Sequence, residues 1–336
     1  MSMIELLVLE YLMTKKIAIV TGCASFIGIN LTQKLLTQGW YVYGIDKLTY
    51  VANKEALFTT INSYKTFKFL EEDITKITWL PECDILFNLA AESDVDNGNA
   101  NCYSFVQSNI DGVRNLLSVI SSRIVIKSDK PLFFHMSTDE VYGDTVEGIF
   151  DENSILNPSN PYAATKASAD LLIKSWARTH GLEYIIARPS NNYGPYQYPE
   201  KLIPLAVKRL TRDRKIKLHN GGNPVRTWTH VEDTCDAIIL LSQVAERNRI
   251  YNISSEFEQK NIDTVHKIIN TYFMGRVNVP IPSYSEHIDL AYSRPGQDVR
   301  YAISCNPLRE LGWFPKKEFD VEIVKLVKYF KERFVW

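Results

Sequence analysis

Tyr162 and Lys166 stand four residues apart, behind a Gly-rich opening segment and a Ser137-Thr138-Asp139-Glu140 run. A helix turns once in about 3.6 residues, so both side chains point at one spot. There a lysine ammonium can stabilise a tyrosinate. Tyrosine titrates near ~10, so making it a base at neutral pH takes roughly three units, or ~4 kcal/mol, from a nearby cation and an oxidised nicotinamide. The candidate chemistry is oxidation of a hydroxyl. A lone Y-x-x-x-K is more often a surface helix pair, so the elements around it must carry the reading.

Those elements alternate as a parallel sheet with helices on both faces demands. Strands are expected at Ile17 to Val20, Tyr41 to Ile45, Phe67 to Leu70, Ile85 to Leu89, Leu132 to Met136 and Tyr184 to Ala187. Helices are expected at Phe26 to Gln38, Tyr103 to Ser118 and Tyr162 to His180. Right-handed crossovers make this α/β, a doubly wound parallel (Rossmann) sheet. From Arg188 onward Pro189, Gly194, Pro195, Pro199 and Pro204 punctuate the chain and mark entry into a second, smaller α/β substrate-binding lobe. A helix at Val231 to Val244 and a strand at Ile250 to Ile253 bring it back. The expected division is 14–188, rejoined by about 226–255, for the dinucleotide domain, and 189–225 with 256–336 for the lobe; residues 1–13 are an extension.

The 336 residues suffice for a large core, and a hydrophobic share of 45% is ordinary for a globular chain. A net charge of -1 gives no field for nucleic acid or membrane, so an anionic ligand must be held by local groups. Cys23, Cys83, Cys102, Cys235 and Cys305 are odd in number and lack C-x-x-C spacing, which argues against a zinc site or a disulfide framework and suggests a reducing cytoplasm. No metal is expected. The apolar stretch Met1 to Met13 carries Glu5 and Glu10 and has no basic n-region, so it does not read as a signal peptide.

After the first strand comes Thr21-Gly22-Cys23-Ala24-Ser25-Phe26-Ile27-Gly28, leading into a helix. Such a turn lets a pyrophosphate approach a helix N-terminus closely. Asp46 ends the second strand and can accept both ribose hydroxyls of an adenosine, which favours NAD; adjacent Lys47 keeps NADP open. Asp73 and Ile74 follow the third strand near the adenine edge, with an N-cap role equally available to Asp73. Ala90 and Ala91 follow the fourth strand, where they either pack on the cofactor or fill core.

Taken in order, Ser137-Thr138-Asp139-Glu140-Val141-Tyr142-Gly143, Pro161-Tyr162-Ala163-Ala164-Thr165-Lys166 and Arg188-Pro189-Ser190-Asn191-Asn192-Tyr193-Gly194-Pro195 with Pro199-Glu200-Lys201-Leu202 resemble one family. Arg226, Tyr251-Asn252-Ile253, Arg294-Pro295-Gly296 and Arg300-Tyr301 continue the likeness. It is that of the nucleoside-diphosphate-sugar 4,6-dehydratases of the dTDP-glucose 4,6-dehydratase type, in the extended short-chain dehydrogenase/reductase group. The resemblance implies that Tyr162 takes the proton of the sugar 4-hydroxyl while hydride leaves C4. Glu140 then removes the C5 proton, protonated Asp139 supplies the departing 6-hydroxyl, and hydride returns to C6. Thr138 would polarise the 4-oxygen. Two adjacent carboxylates suit these roles if their surroundings separate their pKa values, and both reach the sugar only if the chain turns beyond Met136. The likeness also places Ser93 and Ser190 at the cofactor. Ser93, Asn191, Lys201, Leu202 and Asn252 would line the substrate, Arg226 and Arg294 hold its diphosphate and nucleotide, and His219 lie near the base. A homodimer built on a four-helix bundle is implied as well.

Three positions depart from the pattern. Ser25 replaces the middle glycine of the turn, Asp94 a common histidine, and Asn97-Gly98 an Arg-Ser pair close to the hexose. Gly98 would open space for a sugar bulkier than glucose at C2, such as an N-acetylamino sugar. The nucleotide, UDP or dTDP, and the configuration left at C5 stay open. The rival readings are an NAD-dependent nucleotide-sugar 4-epimerase, which needs no acid and base at C6 and C5, and a non-catalytic NAD-binding sensor, against which the intact tyrosine and lysine argue.

Overall fold

The computed structural model describes residues 16–127, 131–274, 283–293 and 298–333; the 1–13 extension and Arg294 lie outside them. Seven parallel strands form the main sheet in the order β10-β6-β5-β4-β1-β2-β3: β1 Ile17–Thr21, β2 Tyr41–Asp46, β3 Phe67–Glu71, β4 Ile85–Asn88, β5 Leu132–Met136, β6 Tyr184–Pro189 and β10 Arg249–Ile253. β4, β5 and β6 are buried at every position, as strands covered on both faces must be. The order reverses between β1 and β4. Ligands of such sheets bind at the carboxyl ends beside that switch, which here means the segments after Thr21, Asn88 and Met136.

Each expected strand and helix exists, with ends shifted by a residue or two except in one case. The run expected at Tyr103 to Ser118 continues to Lys127, through a π-helical stretch Val106–Asp111 and a helix α1 Gly112–Lys127. Ile120 is fully buried and carries the apolar stripe beyond the expected end. Two smaller sheets were not foreseen: β7 Asn191–Tyr193, β9 Val225–His230 and β11 Glu258–Lys260 in one, and β8 Ile216–His219 with β12 Ile288–Tyr292 in the other. Strands of three to six residues give too little period-2 pattern to be read alone. Tyr193, Trp228, Phe319 and Phe330 centre the separate core of this lobe, whereas Cys305, Leu308 and Trp313 pack under the main sheet.

Local rules place the site. Asn160 caps helix α2 Pro161–His180 by accepting from the Ala163 N–H at 2.9 Å, Pro161 fits the first helical position, and Gly181 closes it in the left-handed conformation. Tyr162 and Lys166 thus occupy its first two turns. After β5, Thr138 caps a 3-10 turn Asp139–Tyr142 by accepting from Glu140 N–H at 3.3 Å. Gly143 ends that turn at φ 81, where a Cβ would meet Asn157 O at 2.3 Å. Behind the turn, Arg188 of β6 bonds Asp170 of α2 through Nε at 3.0 Å and Nη2 at 2.9 Å, and donates to Tyr142 Oη at 2.8 Å. All three are buried. Arg188→Met strands the Asp170 carboxylate, so chemical denaturation is expected to read a loss of about 3–5 kcal/mol; a loss below about 1 kcal/mol would show that the pair does not tie sheet to helix.

Candidate active site

At the cofactor end, Gly22 takes φ +71, and a Cβ there would meet Ala90 N at 2.9 Å. At Gly28 a Cβ would lie 1.9 Å from Gly22 O, so the helix Phe26–Thr37 packs on the turn only because the residue is glycine. Ser25, the departure from the glycine pattern, folds its hydroxyl inward: it donates to Gly22 O at 2.6 Å and accepts from Gly28 N–H at 3.3 Å as the helix cap. The turn is reshaped but not blocked. Asp46 accepts from the Ala24 and Leu48 N–H groups at 3.0 and 2.8 Å. Lys47 is engaged by Ser108 at 3.3 Å and Asp73 at 3.7 Å, and Asp73 itself accepts from Thr75 N–H at 2.9 Å. Gly22, Ser25, Asp46, Lys47, Ile74, Ala90 and Ala91 line one cavity, which holds a backbone turn opened by Gly22 at a helix N-terminus beside a carboxylate. These residues fit a dinucleotide.

That cavity runs past Ser25, Phe26 and Ile27 into a cleft of about 1160 Å³ lined by Thr138, Asp139, Glu140, Tyr162, Lys166 and Ser190. Ser93, Asn191 and Lys201 are shared with an outer cleft of about 1190 Å³ that holds Leu202, His219 and Arg226. Glu140 lines both as well, so a ligand in the outer cleft can extend to the space that holds Tyr162.

The turn beyond Met136 brings Asp139 and Glu140 to the same cleft, and their surroundings differ. Asp139 is 3% exposed and is pushed up to about 8, first by burial and then by the Glu140 charge, with Arg226 and Thr138 offsetting part. Glu140 opens on the cleft and is also raised by burial, but Asn160 donates to it at 3.2 Å, Tyr301 at 3.4 Å, and Arg226 and Lys201 favour its charge. Burial and the Glu140 charge thus favour a protonated Asp139, while the hydrogen bonds and cations around Glu140 favour its charge. Tyr162 is held well above the usual phenol range by burial and then by the Glu140 and Asp139 charges, with a Thr138 hydrogen bond offsetting part. Lys166 is lowered to about 8 by burial, and its Nζ donates to Met136 O at 2.6 Å. In the chain alone, burial and the two carboxylates thus favour the phenol form of Tyr162.

In the outer cleft Arg226 is buried, its guanidinium 4.4 Å from the Tyr301 ring centre and bonded to Asp298 O at 3.1 Å. Tyr301 Oη also donates to the Asp298 carboxylate. Lys201 reaches Ser93 O at 2.9 Å, across the two lobes. Asn191 Oδ1 is buried and makes no hydrogen bond to the described residues.

Two expectations fail. Asn252 does not reach the cleft: it is fully buried on β10, where its side chain binds Tyr142 at 2.8 Å and Ser304 O at 3.0 Å, and its N–H binds Glu152 at 2.9 Å. Gly98 opens no space at the sugar, because a Cβ there would face the Phe105 ring at 3.3 Å. Asp94 caps the short helix Val95–Ala100 by accepting from Asn97 N–H at 2.8 Å. Residues given no site role in sequence are Asn160, Tyr301 and His135. The Asn-Pro start of a helix would have revealed the first, whereas the others are visible only once the lobes close on Glu140 and β5 packs on α2.

The family model described as GDP-mannose 4,6 dehydratase matches residues 19–326. A dTDP-glucose 4,6-dehydratase of Salmonella typhimurium is 36% identical over 341 residues, covering 95% of this chain and 93% of that protein. The crystal structure of a dTDP-glucose 4,6-dehydratase from Streptomyces venezuelae, solved with NAD bound, superposes with TM-score 0.85 at 31% identity over 94% of this chain and 97% of that one. A UDP-N-acetylglucosamine 4-epimerase from Methanobrevibacter ruminantium shares the fold, with TM-score 0.82 at 23% identity over 95% and 99% of the two chains.

The charge assignment is open to infrared spectroscopy. A protonated-carboxyl stretch is expected at pH 7, fading as pH rises through about 8 and missing from Asp139→Asn; no band at pH 7, or one that survives the substitution, contradicts it.

Proposed function

The chain belongs to the GDP-mannose 4,6-dehydratase family, and from that premise we propose how its cleft works: it is an NAD-dependent nucleotide-sugar 4,6-dehydratase that turns an NDP-hexose into the 4-keto-6-deoxy sugar and water. Bound NAD supplies one thing, a hydride acceptor at C4 that becomes the donor at C6, and leaves the cycle unchanged. The turn at Gly22 and Ser25 with the following helix N-terminus would hold its pyrophosphate, Asp46 its adenosine ribose, and Ile74 and Asp73 the adenine end. Lys47, already drawn to Asp73 and Ser108, leaves little for a 2'-phosphate, which favours NAD over NADP.

The chain's own groups divide the proton work. Tyr162 accepts the 4-hydroxyl proton, helped by Thr138 and Lys166. The ketone so formed acidifies C5, Glu140 takes that proton, and Asp139 gives its own to the 6-hydroxyl, which leaves as water. Arg226, Lys201 and Asn191 hold the diphosphate and sugar, with His219 and Leu202 at the base. The observation that carries this reading is the pair of unlike carboxylates in the cleft that holds Tyr162. A 4-epimerase on the same fold has no use for them.

Among the described residues no helix is long and apolar enough to cross a membrane, and the five cysteines form no disulfide with one another. These fit a cytoplasmic enzyme; export of the full chain with its signal removed would overturn that placement. Tyr103 and Val106 on one helical run and Leu171 on α2 are exposed and suit a homodimer seam; a monomer by light scattering rules it out.

Incubation of the pure protein with UDP- and dTDP-linked glucose and N-acetylglucosamine tests the reaction and names the substrate. One or more should yield a product lighter by one water with a 4-ketone, and NMR of that product reads C5. Asp139→Asn should lower the rate by about 10²–10⁴-fold. Loss of no water from any of the four, or exchange of C4 configuration alone, contradicts the assignment.

A further inference from the structure

Behind the cleft floor a line of buried side chains joins the cofactor turn to the lysine. Thr21, Asn88, His135 and Asp170 are fully buried, and Lys166 is 2% exposed. The direction of each bond follows by counting. Thr21 Oγ1 accepts from the Leu89 and Ala90 N–H groups, both at 3.2 Å, so its own hydrogen goes to Asn88 Oδ1 at 2.7 Å. With its oxygen used as acceptor, Asn88 presents Nδ2 to His135 Nδ1 at 3.0 Å. A neutral imidazole whose Nδ1 accepts carries its hydrogen on Nε2. That nitrogen lies 3.3 Å from Lys166 Nζ and 4.0 Å from Asp170 Oδ1. Oδ1 makes no hydrogen bond of normal geometry, although the Ser137 hydroxyl also faces the carboxylate.

We propose that His135 is a positioning residue for Lys166: fixed as the Nε2–H tautomer by the relay from Thr21, it shares one hydrogen between the lysine amine and Asp170 Oδ1, and so couples the charge of Lys166 to the turn that carries the cofactor. This rests on the catalytic role assigned to Lys166, but its test does not. When Lys166 is neutral, its lone pair takes the His135 hydrogen. When it is protonated, the Nε2–H is left with Asp170 Oδ1, 4.0 Å away, as its nearest acceptor and the ammonium keeps Met136 O. Asp170 of α2 favours the charge of the amine, and Arg188 of β6 acts on that carboxylate in turn; Tyr162 of α2 and Asp139 and Glu140 of the turn line the same cleft as Lys166. His135 itself is held far below the usual imidazole range by burial and then by the Lys166 charge, so it stays neutral throughout. Because burial lowers Lys166 to about 8, the switch belongs to mildly alkaline pH, with the ammonium form below that value and the amine above.

The test is nitrogen NMR of the full chain labelled with 15N-histidine, without cofactor or substrate. Of the six histidines, the one whose signals vanish in His135→Gln should show an unprotonated Nδ1 and a protonated Nε2. No imidazolium should form between about pH 5 and 9, while the Nε2 shift moves with a midpoint near 8. Asn88→Asp offers a carboxylate to Nδ1, and should reverse the tautomer and raise that midpoint by about one unit or more. A hydrogen on Nδ1 in the natural protein overturns the proposal. So does a His135 that titrates like an exposed imidazole, or an Asn88→Asp protein whose tautomer and midpoint stay unchanged. Dehydratase activity can fail without touching any of these readings.

Discussion

Desolvation at the junction of β5, the turn behind it and helix α2 sets the charge of every group in the cleft. Asp139, Tyr162 and Lys166 are all at most 9% exposed, and in such surroundings neighbouring like charges cannot both persist. The outcome is ordered: Asp139 keeps its proton, Glu140 keeps its charge with help from Asn160, Arg226 and Lys201, and Tyr162 stays a phenol. A tyrosine base then requires positive charge brought from outside the chain. An oxidised nicotinamide would bring it, so the proposed base role of Tyr162 would belong to the loaded cleft.

The scaffold makes that junction possible. Parallel strands deliver the ends of β1, β4 and β5 to one edge, and the 3-10 turn at Asp139–Tyr142 cancels the alternation that would aim adjacent side chains apart. Arg188 and Asp170 then lock β6 to α2 behind it. The second lobe closes the other side through Tyr301 and Arg226, which face Glu140, and through Lys201, which bonds Ser93. Glu140 is thereby the place where the two lobes meet.

Much of this was legible in the residues. The strand–turn–helix at Ile17 to Gln38, the acid end of β2 and the Tyr162–Lys166 spacing are local signals, and local signals survive folding. The failures share one physical cause, which is that a side chain's direction depends on what packs behind it. Asn252 sits in a motif that resembles a substrate contact, yet its hydrogen bonds are spent inside the sheet. Gly98 faces Phe105 and not the sugar. The expected activation of Tyr162 rests on Lys166 together with an oxidised nicotinamide, and its spacing in sequence does not reveal the cost of burial seen in the chain alone. Tyr301 belongs to a recognised Arg-Tyr pair but meets Glu140 only across more than a hundred residues, and His135 acts along a buried strand where no short pattern announces it.

The most direct test is the fate of hydrogen in a substrate deuterated at C4. If Tyr162, Glu140 and Asp139 act as assigned in one closed cleft, the deuterium reappears at C6 of the same molecule while C5 takes up hydrogen from solvent. Deuterium released to water, or retained at C4 with no dehydration, contradicts it.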